Sequence, residues 1–221
     1  MEGTENTQDG HSHAFMSTAR IEALADGLFS IAMTLLALNI AVPVIAPPEN
    51  AAALLPRKLL DLFPAIALYA VSFVVLGIYW VAHHGQLRVI DAADRPFLWI
   101  NILFMMLIAF VPFSTSLISR YPDVPLAVQT YGLTLILIGG ALHLHWWYAT
   151  TGFRLIPPTT PPEIIRGARN RILLAPAVCA VAIVVAFVSP LASIVMYALL
   201  PPFYIAPAAL DRFVFRRERR V

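Results

Sequence analysis

The chain has 221 residues, of which 59% are hydrophobic and only 13% are charged, and its formal net charge is +2. Soluble domains carry about a quarter charged residues, so this composition and a mean hydropathy of +0.76 exclude a soluble globular protein. A membrane span needs about 20 apolar residues. The length therefore accommodates about six spans with short loops, and the chain is predicted to be a polytopic membrane protein.

The apolar segments predict an all-α fold with six transmembrane helices in one unit over residues 18–210. A polar N-terminal tail is expected over residues 1–17, and a basic cytoplasmic tail over residues 211–221. Loops are expected at residues 49–61 and 150–171. The six spans are expected at residues 18–46, 62–82, 97–118, 126–149, 172–188 and 191–209.

The lysines and arginines are distributed unevenly between the two ends of these spans. With the N-terminus inside, the inner segments hold twelve of these residues and the outer loops hold three, namely Arg57, Lys58 and Arg120. Cytoplasmic segments carry the excess of Lys and Arg in membrane proteins. Both termini are therefore expected in the cytoplasm, which agrees with an even number of spans.

The first span is unusually polar and has two distinct faces. On a helix, one side carries an apolar stripe with a single hydroxyl and a cation at its entrance; its residues are Arg20, Leu24, Gly27, Ile31, Thr34, Leu35 and Leu38. Asp26 points to the far side, where a buried carboxylate is expected. A symmetric oligomer would bring one copy of the stripe per chain to a central axis.

Two other interpretations of this span remain open. An apolar stripe on a membrane helix is commonly a packing surface, and a threonine there commonly bonds to its own backbone. In this packing interpretation, Asp26 pairs with a neighbouring helix. In the second interpretation, Asp26 serves as a proton or ion site of a transporter.

The histidines do not form a metal site in this pattern. His83 and His84 are about 100° apart on a helix and His143 and His145 about 200° apart, whereas a zinc pair needs i, i+4 spacing. The sequence has no serine elbow, HExxH motif or phosphate-binding loop, and no TVGYG potassium filter. No enzymatic activity, metal or cofactor is expected.

Three motifs in chain order are similar to a known family. Residues 20–27, RIEALADG, resemble the RxxxFSD signature that opens the first helix of the lysosomal potassium channels and their bacterial relatives. The YWVAHH run at residues 79–84, Asn101, and the segment from Phe104 to Thr115 continue the resemblance. Leu24 stands in place of the signature's Phe and Ala25 in place of its Ser.

This resemblance implies a homotetramer of single-repeat chains in which the first helices line a pore without a re-entrant filter. It assigns the constriction to Ile31, further apolar layers to Leu35 and Leu38, and potassium preference to Thr34. It also implies one structural hydrogen-bonded network, formed by Arg20, Asp26, Trp80, His84 or His83, and Asn101.

We therefore expect a potassium-selective, leak-type channel with passive conduction in a bacterial cytoplasmic membrane. Its expected partners are the lipid bilayer, further copies of the chain and potassium ions, with no nucleic acid. The alternatives are a proton-coupled secondary transporter that uses Asp26 and the membrane histidines, and a structural membrane subunit without flux of its own.

Overall fold

The computed structural model describes residues 18–47 and 50–205, so the two expected tails at 1–17 and 211–221 lie outside the described residues. Within this part of the chain the fold is all-α, as predicted. Seven helices follow one another: α1 (Thr18–Leu38), α2 (Ala51–Asp61), α3 (Phe63–Leu87), α4 (Arg95–Arg120), α5 (Pro125–Thr150), α6 (Pro162–Val185) and α7 (Pro190–Ile205).

Five of these helices, α1, α3, α4, α5 and α6, are long and apolar enough to cross a membrane. The sixth apolar helix, α7, has 16 residues. At 1.5 Å per residue it is about 24 Å long, which is shorter than a bilayer core of about 30 Å. Pro201 and Pro202 lie inside it.

One expected loop and one expected helix end are wrong, and a second expected loop is shorter than predicted. Residues 51–61 form helix α2, and α6 begins at Pro162, so much of the expected loop at 150–171 is helical. The expectation failed because neither segment is long and apolar enough to be recognised as part of a span. Helix α1 ends at Leu38, although the first span was expected to continue to residue 46.

Helix α5 is the most deeply buried of the candidate spans and packs on α4 and α6. Its buried residues, which include Tyr131, Ile138 and Trp146, lie on one half of its circumference. Two glycines make this close packing possible. A Cβ at Gly132 would overlap the Tyr197 hydroxyl, and a Cβ at Gly139 would overlap the Pro176 ring.

Helix α1 joins the bundle through one face, which packs on α3 and α4. The buried residues of this core face recur at i, i+4, i+8, i+11 and i+15, and they are Ile21, Ala25, Phe29, Ala32 and Leu36. Phe29 lies against Phe104 of α4, with 6.1 Å between the ring centroids. Just after α1, the Asn39 amide donates to the Pro112 carbonyl at 3.0 Å. These contacts fix the rotation of α1.

Candidate functional site: the exposed faces of the first helix

The predicted stripe of α1 is turned away from its own bundle. Ile31 is 58% exposed and Leu38 is 78% exposed, although both belong to a membrane-spanning helix. Gly27 has open space around its Cα, and Leu24 and Leu35 are also exposed. The core face and the stripe are both apolar, but the chain buries only the former.

Thr34 is the hydroxyl-bearing residue of this stripe. Its Oγ1 donates to a carbonyl of its own helix, with 2.8 Å to the Ile31 oxygen and 2.9 Å to the Ser30 oxygen. A hydroxyl oxygen keeps two acceptor lone pairs when it donates its proton. The bond to the backbone therefore leaves the Thr34 oxygen able to face a cation.

A third face of α1, on the flank between the stripe and the core face, carries two carboxylates that bind α3. The Trp80 indole donates to Asp26 Oδ1 at 2.7 Å, and His84 Nδ1 lies 2.6 Å from Glu22 Oε1. The Trp80 and His84 rings stack with 5.9 Å between centroids. Asp26 is exposed in the single chain, so the expected burial of this carboxylate is not provided by its own bundle.

A second set of polar groups lies inside the bundle, between α3, α4 and α5. His83 Nε2 lies 2.8 Å from Asn101 Oδ1, and His145 Nδ1 lies 2.6 Å from Gln86 Oε1. The His83 and His145 ring centroids are 5.2 Å apart. All four side chains are buried. This interior cluster ties the three helices together through hydrogen bonds and ring contacts.

The six residues expected to form one network are thus divided between two places. Asp26, Trp80 and His84 lie on the flank of α1, whereas His83 and Asn101 lie in the interior cluster. Arg20 is exposed on the first turn of α1 and makes no hydrogen bond to the other five within the described residues. His83 and His84 diverge because neighbouring residues on a helix point about 100° apart.

Sequence reasoning missed three members of these clusters. Glu22 precedes Asp26 by four residues, a spacing that places both on one side of a helix and that could have identified it. Gln86 and His145 come from helices that meet only in the folded bundle, and no local spacing joins them.

Among the described residues, no group of three or more His, Cys, Asp or Glu side chains could hold a metal ion.

The two residues that differ from the family signature, Leu24 and Ala25, lie in different surroundings on α1. Leu24, in place of the signature's Phe, is exposed on the stripe, whereas Ala25, in place of its Ser, is buried at 1% exposure. Ala25 belongs to the core face, where an apolar residue needs no hydrogen-bond partner.

Comparisons with known proteins agree with the geometry. The family described as endosomal/lysosomal potassium channel TMEM175 matches residues 20–112. A protein of Streptomyces collinus named as a potassium channel is 32% identical over 191 residues, which is 85% of this chain and 91% of that protein. A protein of Chamaesiphon minutus, also named as a potassium channel, is 32% identical over 175 residues, 78% of this chain and 85% of that protein.

The fold has a solved counterpart. The crystal structure of a lysosomal potassium-selective channel TMEM175 homolog from Chamaesiphon minutus superposes with a TM-score of 0.74 at 29% sequence identity. The match covers 85% of this chain and 95% of that one.

Fold and site together define a polytopic, all-α membrane protein whose first helix leaves an apolar stripe uncovered. The chain belongs to the TMEM175 family, as the resemblance indicated. This is a family of ion channels, and the chain is accordingly not an enzyme.

Proposed function

We propose that this chain is a potassium-selective, leak-type channel that conducts passively through a pore lined by α1 from four copies. Its channel domain is residues 18–210 with six spans, between a polar tail at 1–17 and a basic tail at 211–221. It lies in a bacterial cytoplasmic membrane with both termini in the cytoplasm. Two relatives named as potassium channels support the permeant ion.

The observation that carries this proposal is the rotation of α1. The helix is held by its core face, and the stripe that contains Ile31, Thr34 and Leu38 is left exposed. A face left uncovered by residues 18–47 and 50–205 can meet lipid or further copies of the same chain. The adjoining flank carries the exposed carboxylate of Asp26, which favours further copies on this side of α1, because a charged group in contact with lipid is costly.

In such an assembly the stripe supplies the pore wall. Rings of Ile31, Leu35 and Leu38 would form dry, narrow layers that hinder ions by excluding water, with Ile31 as the tightest point. A ring of Thr34 oxygens, with their hydrogens donated to the backbone, would replace part of the hydration shell of a potassium ion. No bound cofactor is needed for passive conduction, and potassium is the permeant species.

The two polar clusters have a structural part in this proposal. Asp26, Trp80 and His84 hold α1 to α3, while His83 and Asn101 hold α3 to α4. Arg20 lies at the cytoplasmic end of the stripe, at the entrance of the proposed pore. The transporter alternative would need a proton path from Asp26 through the membrane histidines. His84 lies on the same flank as Asp26, beside Trp80 and Glu22, whereas His83 and His145 belong to the interior cluster.

A flux measurement on purified protein in liposomes tests the function. The channel predicts potassium flux that scales linearly with the driving force and persists without a proton gradient. A transporter predicts saturable uptake that collapses with the proton gradient and is lost in Asp26→Asn. A structural subunit predicts no flux above empty liposomes, and either of the last two results would overturn the proposal.

Thr34→Ala tests the selectivity assignment. We expect the reversal potential under opposed potassium and sodium gradients to move toward zero, because the ring loses the oxygens that compete with water. Thr34→Ser, which keeps the hydroxyl, should retain the wild-type value. Thr130→Ala is a matched control, since Thr130 also donates to its own helix, at 2.7 Å from the Leu126 oxygen. A wild-type reversal potential in Thr34→Ala would show that this residue does not set the preference.

A further inference from the structure

Helix α2 (Ala51–Asp61) has almost no support from the rest of the described residues. None of its residues is buried, and every residue from Ala52 to Asp61 is exposed. It touches the bundle chiefly where it runs into α3. An 11-residue helix is marginal by itself in water, so a second surface is needed to stabilise it.

The sequence of α2 is amphipathic. Leu55 and Leu59 lie one turn apart and define an apolar side, which Leu62 continues just after the helix, while Arg57 and Asp61 lie on the opposite side. Lys58 lies at the border between the two sides, where a long side chain can keep its stem on apolar surface and its ammonium in water. The pattern is typical of a helix that lies flat at a boundary between water and an apolar phase.

The position of α2 in the chain identifies this boundary. Only Leu62 separates α2 from Phe63, the first residue of the membrane-spanning helix α3. The C-terminal end of α2 is thus fixed at the level where the chain enters the bilayer. Phe63 is itself exposed at 69%, so apolar surface continues from α2 onto the outward face of the span.

We propose that α2 is an interfacial helix that binds the lipid surface of the membrane, with Leu55 and Leu59 inserted among the acyl chains. The partner is the phospholipid of the leaflet in which α3 begins. Arg57 and Lys58 lie at headgroup level, where cationic side chains are favoured next to lipid phosphate. The contact anchors the segment that joins α1 to α3. It thereby also anchors the C-terminal end of α1, which is the end opposite to Arg20.

Fluorescence quenching of single labels tests this orientation independently of ion flux. In a Cys179→Ala background, Leu55→Cys, Leu59→Cys, Arg57→Cys and Asp61→Cys are each labelled with an environment-sensitive dye in phosphatidylcholine–phosphatidylglycerol liposomes. We expect labels at 55 and 59 to be quenched at least about threefold more than those at 57 and 61 by lipids that carry a nitroxide on the acyl chain just below the headgroup. Aqueous iodide should give the opposite order.

Two outcomes of the labelling experiment would overturn the proposal. Equal iodide quenching at all four positions would place α2 in water. Shielding of positions 55 and 59 from both quenchers, together with disulfide formation between copies, would show that a second copy covers the helix.

Amide exchange of the unmodified chain gives an independent measurement. Exchange over residues 52–61 should be slower in lipid nanodiscs than in amphipathic polymer, and equal rates would contradict lipid binding.

Discussion

The core face and the stripe of α1 have similar chemistry and opposite surroundings. Leu36, on the core face, is 1% exposed, whereas its neighbour Leu35, on the stripe, is 43% exposed. Both are leucines on one membrane-spanning helix, so hydrophobicity does not distinguish them. What differs is the contact that each makes. Inside a membrane, packing and polar contacts decide which face joins the bundle, since lipid is as apolar as leucine.

The largest expected effect separates these two faces directly. Leu36→Ala leaves a cavity against α3 and α4 and should cost about 2 kcal/mol or more of folding free energy through lost packing. Leu35→Ala, the matched variant one residue away, should cost less than about 1 kcal/mol. Thermal denaturation followed by size-exclusion chromatography measures both. Equal losses of stability would show that the stripe is packed as tightly as the core face.

Ile31→Asn alters the stripe without touching the core face. An amide at the proposed constriction attracts water, so we expect the potassium flux to rise at least about fivefold in liposomes. Ile31→Val, which keeps an apolar ring, should stay within about twofold of the wild type. An unchanged flux in Ile31→Asn, in protein of normal stability, would place the constriction elsewhere.

These faces also show what the sequence could and could not predict. The helical period predicted the stripe and its single threonine, because residues about 100° apart on a helix can be placed by counting. The helical period did not predict that Ala25, Phe29 and Leu36 form the side that packs on α3 and α4. An apolar side chain is compatible with contact to protein and with contact to lipid, so the sequence does not distinguish the two. The all-α fold followed from the long apolar segments.

The polar contacts were harder to predict for a related reason. Trp80 and Asp26 were assigned to one network by resemblance, and the structure does place the indole on the carboxylate. Gln86 and His145 were missed because they are 59 positions apart, and only the packing of α3 on α5 brings them together. Helix α2 was missed because an 11-residue segment with three charged residues resembles a loop.

The interior cluster should be more sensitive than the flank of α1. Asn101→Leu leaves His83 Nε2 without its partner in a buried site, which costs about 1–3 kcal/mol. We expect a melting temperature several degrees lower, with potassium selectivity unchanged in the protein that remains folded. A melting temperature equal to that of the wild type would show that water or another group replaces the amide.

The smallest expected effect lies on the flank. Trp80→Phe removes the indole donor from Asp26 but keeps an aromatic ring beside His84. Where water reaches the carboxylate, it replaces the donor, and the loss of stability should be under about 1 kcal/mol. Where a neighbouring copy covers Asp26, the unpaired carboxylate becomes costly and the oligomer should dissociate at lower detergent concentration than the wild type. Melting temperature and oligomer mass, measured on the same sample, therefore separate a water-facing flank from one that is an interface between copies.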